Sequence, residues 1–147
     1  MEASYEYTSL PHSRATRLIR LYSDANKDAP LGCELREVSV DEPLPPYVAL
    51  SYTWNGEEPS VKLKISASAG DDPAVTRILL ITPNYAAALN VLRNSELVRQ
   101  HELWVDAICI NQACKDEKGA QVVMMATIYK EAEDVLIWLG SEWAPKT

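Results

Sequence analysis

Hydrophobic and polar positions alternate in short blocks along the first half of the chain and lengthen into apolar runs in the second. Leu18–Leu21 and Glu34–Val40 are strand-like runs separated by the polar stretch Ser23–Pro30. Asp41–Pro46 carries three prolines, which fix φ and remove amide donors, so it predicts an extended connector. Tyr47–Tyr52 is compact, mostly apolar and bounded by prolines before and Trp54–Gly56 after, the pattern of a buried strand. Val61–Ile65 alternates with period two, a strand wet on one face. Arg77–Ile81 is its pairing candidate, and Gly70–Pro73 supplies turn residues for a hairpin between them.

A helix follows. Thr82 is placed to cap it, Pro83 fits its first position, and Tyr85, Ala88, Leu89 and Leu92 recur at i, i+3, i+4 and i+7. Leu103–Ile110 is apolar except for Asp106 and predicts a central strand buried on both faces. After the polar loop Asn111–Lys118, a helix over about Glu117–Glu131 carries Val122, Met125, Ile128, Tyr129 and Ala132 on one stripe. Val135–Leu139 is a further apolar strand, stopped by Gly140. From Tyr47 onward the strands alternate with helices, which predicts right-handed crossovers and a parallel sheet covered by helices. The elements before Pro46 and the Val61–Ile81 hairpin would decorate it with antiparallel strands. The fold class is α/β.

Composition narrows the function classes. At 147 residues the chain has the size of one domain. Its net charge of −7 and the lack of a Lys/Arg cluster speak against nucleic acid. No apolar run reaches the ~18 residues of a membrane helix, and the first residues lack a signal-peptide pattern, so a cytoplasmic location without membrane contact is the expectation. Cys33, Cys109 and Cys114 are odd in number and lack CxxC spacing, which fits free thiols in a reducing compartment. His12 and His101 stand apart, so no metal site is expected. No GxGxxG or P-loop occurs, and no tightly bound cofactor is expected.

Two segments carry a family resemblance. Tyr47, Ala49, Leu50, Ser51, Tyr52 and Trp54 are similar to one motif of the fungal heterokaryon-incompatibility (HET) domain. The block from Leu103 to Gly140 resembles a second, through Trp104–Gln112, Glu117, Lys118, Gln121, Val122, Met125, Ile128, Tyr129, Ala132, Val135 and Trp138–Gly140. The chain departs from the family at Asn55, where Gly is usual, and at Cys114, where an acid is common. A third family block, rich in Arg, Trp and Glu, would lie beyond residue 147. The resemblance therefore implies a single HET-type domain over 1–147 that stops short of that block.

The family is thought to be distantly related to TIR domains, and this kinship implies a mostly parallel, TIR-like (flavodoxin-like) sheet. It also implies intracellular signalling in non-self recognition that triggers regulated cell death, with NAD as a substrate cleaved by the complete domain. The alternative is a non-catalytic scaffold that self-associates and answers to an upstream sensor protein. Because the third block would bring the catalytic acid, this stretch alone is expected to be silent toward NAD. By the same likeness Tyr47–Ser51, Leu103–Ile110 and Val135–Leu139 correspond to the first three TIR strands.

Ligands of doubly wound sheets bind beyond the carboxyl ends of the strands. Ser51, Tyr52 and Trp54 follow the first core strand and Asn111 and Gln112 the second, an aromatic pair with hydroxyl and amide groups for a ribose or phosphate. The alternative is that Tyr52 and Trp54 pack the core while Asn111 and Gln112 cap the loop and the next helix. Asp106 is either a buried acid near that site or an acid fixing a backbone turn or pairing with an arginine. Glu142, beside Trp143, is the other candidate acid. Cys109 and Cys114 have no nearby His or basic cluster to activate them. The uninterrupted apolar strand Val135–Leu139 needs a cover, expected from the N-terminal segment or a second copy.

Overall fold

The structure, a computed structural model, describes residues 1–26, 28–51, 56–66 and 74–145. Its strands are β1 (Glu2–Ser4), β2 (Ala15–Leu21), β3 (Leu31–Ser39), β4 (Tyr47–Ser51), β5 (Val61–Ile65), β6 (Thr76–Ile81), β7 (Glu102–Val105), β8 (Asp134–Trp138) and β9 (Trp143–Pro145). Its helices are α1 (Pro83–Leu92), α2 (Glu96–Gln100), α3 (Asp106–Cys109) and α4 (Lys115–Glu131). One sheet holds all nine strands in the order β1-β6-β5-β3-β2-β7-β4-β8-β9.

The sheet is mixed, and the mostly parallel, flavodoxin-like sheet of the sequence reading needs correcting. Parallel pairing joins β7, β4 and β8 in the middle, and also β3 to β5 and β1 to β6. Antiparallel pairing joins β2 to β3 over seven residue pairs, β5 to β6 over five, β2 to β7 and β8 to β9. The physical cause is the placement of β2. It enters beside β7 as the first arm of a hairpin with β3, and a hairpin can pair only antiparallel. Far from decorating an edge, β2 is buried at every position except Arg20. The turn expected over Gly70–Pro73 lies outside the described residues.

The α1 start is as the sequence predicts. Thr82 Oγ1 accepts the Tyr85 amide at 3.2 Å and Pro83 occupies the first turn, where its missing N–H costs nothing. The predicted stripe of Tyr85, Ala88, Leu89 and Leu92 is buried. Leu103–Ile110 behaves differently. β7 ends at Val105 and the chain coils into the single helical turn α3. A short, uniformly apolar run has no periodicity to tell strand from helix, so the break at Asp106 was the only available signal.

Pairing register assigns the two faces of the central strands. Tyr47, Ala49, Trp104 and Val135 share one face, where α4 packs. There the Tyr47 hydroxyl donates to the Ile128 carbonyl, and Trp104 meets Tyr129 edge-on at 5.6 Å. The Trp104 indole N–H donates to Thr16 Oγ1 (3.0 Å), Thr16 donates to Gln121 Oε1 (2.6 Å), and Gln121 Nε2 donates to the Ala15 carbonyl (2.7 Å). This buried polar chain is satisfied at every link, which a low-dielectric interior requires.

Val48, Leu50, Leu103, Leu136 and Trp138 point to the opposite face, toward α1. Trp138 Nε1 donates to Asn84 Oδ1 at 3.1 Å and its ring lies 5.3 Å from that of Trp143, whose own N–H donates to the Ala88 carbonyl. Trp138 is thus covered, at 7% exposure, by α1 and the adjoining β9. The expected N-terminal cover is not there: β1 lies at the far edge and β2–β3 beyond β7. The crossover from β4 to β7 had already laid α1 across this face. Gly140, at φ +93°, makes the tight turn into β9.

Candidate functional site

β4 lies between β7 and β8, so the chain steps to one side of β4 and later to the other, with α1 and α4 on opposite faces. Such a switch point leaves a crevice at the carboxyl ends of the strands. Ser51 closes β4 there, half-buried, paired with Ile137. Leu50 pairs with Val105, so Asp106 emerges from β7 at the level of Ser51. The structure therefore brings Ser51 and Asp106 to one end of adjacent strands. Tyr52 and Trp54 lie outside the described residues.

Asn111 and Gln112 reach the same end of the sheet but use their polar groups on the local backbone. Asn111 Oδ1 accepts the Ala113 amide (3.2 Å) and Gln112 Nε2 donates to the Asp106 carbonyl (2.8 Å). Asn111 also lines a cavity of about 350 Å³ with Tyr7, His12, Cys114 and Glu117, between the N-terminal segment and the start of α4. Glu142 is exposed in the β8–β9 turn, its carbonyl accepting the Leu139 amide at 2.9 Å. Cys109 is fully buried, and burial pushes its thiol up to about 12 despite the Val105 amide and Arg17. It stays a protonated thiol at neutral pH. Among the described residues no group of three or more His, Cys, Asp or Glu is arranged to hold a metal ion. No described helix is long and apolar enough to cross a membrane.

Asp106 stands out energetically. Its Oδ1 is enclosed and, among the described residues, has no hydrogen-bond partner and no arginine paired with it. Burial raises its pKa above the usual carboxylate range, against the pull of the Ala107 amide and the more distant Lys118. A carboxyl whose folded-state pKa is raised opposes folding while ionised, and stability is regained as pH falls through that pKa. Asp106→Asn is therefore expected to leave the melting temperature at pH 7 unchanged or higher, by at most about 1 kcal/mol of stability. Thermal melts at pH 5 and pH 7 check this; a fall of several degrees at both would mark Asp106 as structural.

Sequence reasoning missed the best-made feature of this end of the sheet. Arg17 on β2 is 1% exposed, and its guanidinium takes both oxygens of Glu117, from the first turn of α4, at 2.8 and 2.9 Å. It also donates to the carbonyls of Cys109 (2.9 Å) and Thr8 (2.8 Å) and lies 4.8 Å from the centre of the Tyr7 ring. The Tyr7 hydroxyl donates to the Ile108 carbonyl at 2.6 Å. Burial works against the charge on Glu117, but Arg17 and the Asn111 amide bring its carboxyl below the usual range. The group fastens the N-terminal segment, α3 and the start of α4 to β2. No local signal marked it, because Arg17 follows the polar Thr16 and its partner Glu117 lies a hundred positions away.

Comparison with known proteins gives a family match and a relative. The family model described as Heterokaryon incompatibility protein (HET) matches residues 47–147. Heterokaryon incompatibility protein 6, OR allele, of Neurospora crassa is 33% identical over 141 residues, covering 93% of this chain and 20% of that protein. The chain thus spans about a fifth of that relative's length. No solved structure matches it. The extent of both matches places the chain in the heterokaryon-incompatibility (HET) family.

Proposed function

We propose that the chain is a signalling domain of heterokaryon incompatibility, acting in the cytoplasm, whose activation promotes regulated cell death. The observation that carries this reading is the family match over Tyr47–Thr147 together with 33% identity to an incompatibility protein along nearly the whole chain. Its working end is the carboxyl ends of β4 and β7, where Ser51 and the half-buried Asp106 stand on adjacent strands. An acid kept enclosed with one carboxyl oxygen unsatisfied among the described residues is a cost to folding that a structural role does not require. TIR-like cleavage of NAD by the complete domain, with this stretch alone silent, is the finer reading. Recruitment of an upstream sensor or of further copies, without chemistry, is its alternative.

Inducible expression, in a fungal host, of a complete HET-domain protein carrying this chain, with cellular NAD followed alongside dye uptake, tests both levels. Growth arrest and death within hours of induction are expected, and Asp106→Asn at equal abundance should remove them. Hosts that grow normally while accumulating the folded protein would refute the signalling reading. A fall in NAD before membrane failure supports cleavage; death at constant NAD supports the scaffold.

A further inference from the structure

Two arginines are buried to the same degree and treated very differently. Arg17, as described, meets a carboxylate. Among the described residues Arg93, at the end of α1 and 2% exposed, meets only neutral oxygens. Its Nη1 donates to the Ala29 carbonyl (2.8 Å) and to Asn90 Oδ1 (3.1 Å), its Nη2 to the Pro30 carbonyl (3.3 Å), and its Nε finds no acceptor among the described residues. No carboxylate lies within ion-pair distance of it among the described residues. A buried cation without a counter-charge is among the costliest arrangements a fold can hold. The carbonyl end of α1 offsets only part of that cost.

Arg93 lines a cleft of about 430 Å³ formed by the end of β2, the start of β3, the end of β5 and the start of β6. Lys64 adds a second positive charge at its wall. The Tyr22 and Ser66 hydroxyls are 2.7 Å apart and share one hydrogen bond, which leaves one O–H proton to donate elsewhere. Thr76 brings a further hydroxyl, and Asp24 an acceptor on the rim. Gly32 forms part of the floor: a Cβ there would meet the Tyr22 ring at 3.4 Å. Register places this cleft at the opposite end of the sheet from Ser51 and Asp106, because β2 runs antiparallel to β7 and its last residue pairs with Cys33.

We propose that this cleft binds a small phosphorylated molecule, with the phosphate against Arg93 and Lys64. The Tyr22–Ser66 hydroxyl pair gives the oxyanion one neutral donor through its remaining proton, and Asp24 accepts from a hydroxyl of the remainder of the ligand. A guanidinium and an ammonium bracketing hydroxyl donors suit an oxyanion that needs several short hydrogen bonds. The cleft is larger than a bare phosphate needs, which is why a phosphate ester of a small hydroxylated molecule fits it better than the free ion.

The test is a titration of the full chain with inorganic phosphate and with glucose 6-phosphate at constant ionic strength, with acetate as the control anion. The Arg93 Nε–H resonance and the melting temperature are the readouts. Saturable shifts with both phosphates, tighter for the ester and absent with acetate, are expected. Arg93→Met should abolish them, and the exposed Lys64→Met, which leaves the buried guanidinium in place, should weaken binding about tenfold or more. No saturable response up to about 50 mM, a ceiling that marks binding too weak to matter, would overturn the proposal. So would a Lys64→Met variant that binds as the parent does, or acetate matching phosphate. Each of these outcomes would leave the cell-death reading untouched, since that reading rests on the other end of the sheet.

Discussion

Replacing Arg17 with methionine should destabilise the protein by about 3–5 kcal/mol, the cost of removing one member of a buried ion pair. For a domain of this length that corresponds to a fall in melting temperature of roughly 6–20 °C. The loss has two parts. Glu117 is left charged with a side chain only 9% exposed, and the carbonyls of Thr8 and Cys109 lose their donor. Glu117→Gln alone should cost less, because a neutral amide can still meet the guanidinium. The double variant should cost less than the sum of the two, since no unpaired carboxylate remains. Urea unfolding of the three variants at pH 7 gives these numbers. A loss below about 1 kcal/mol for Arg17→Met, typical of an exposed pair, would show that the clamp carries no weight.

The second large effect concerns where the folding unit begins. The family match starts at Tyr47, yet β2 lies in the interior of the sheet, between β3 and β7. A chain starting at Tyr47 would lose the buried side chains of Leu18, Ile19 and Leu21, at roughly 1.5–3 kcal/mol each. It would also strand the Trp104 N–H and both polar groups of Gln121 in the interior, at about 1–3 kcal/mol each. These losses together reach the whole stability of an ordinary domain, about 5–15 kcal/mol. The shortened chain is therefore expected to collect in inclusion bodies, or to stay soluble without a cooperative thermal transition. A sharp calorimetric transition from residues 47–147 alone would contradict this view of β2.

The same strand shows where the sequence could be read and where it could not. Elements with a strong period were legible: the alternation of Val61–Ile65, and the Thr82–Pro83 start of α1 with its buried stripe. β2 was legible only in its last four residues, because Thr16 and Arg17 look like surface residues until Gln121 and Glu117 arrive from more than a hundred and a hundred positions away respectively. Sheet order hides for a similar reason. Nothing local in Ala15–Leu21 distinguishes an added edge strand from one inserted beside β7. The candidate site was half legible. Asp106 announced itself as a charge in an apolar run, whereas Arg93, seated after a good helix, gave no sign of its burial.

The aromatic residues of the two sheet faces give each face its own optical signature. Trp104, wholly shielded and held by Thr16, is expected to emit toward the blue and to report on the contact between α4 and β2. Trp138 and Trp143, 5.3 Å apart at 52°, are close enough for their excited states to couple, which gives a near-ultraviolet dichroism band tied to the β8–β9 hairpin and α1. Emission wavelength and dichroism thus follow different parts of one sheet. If the edge hairpin opens before the core, the dichroism is lost while the blue emission stays, and label-free spectra alone can order the two events.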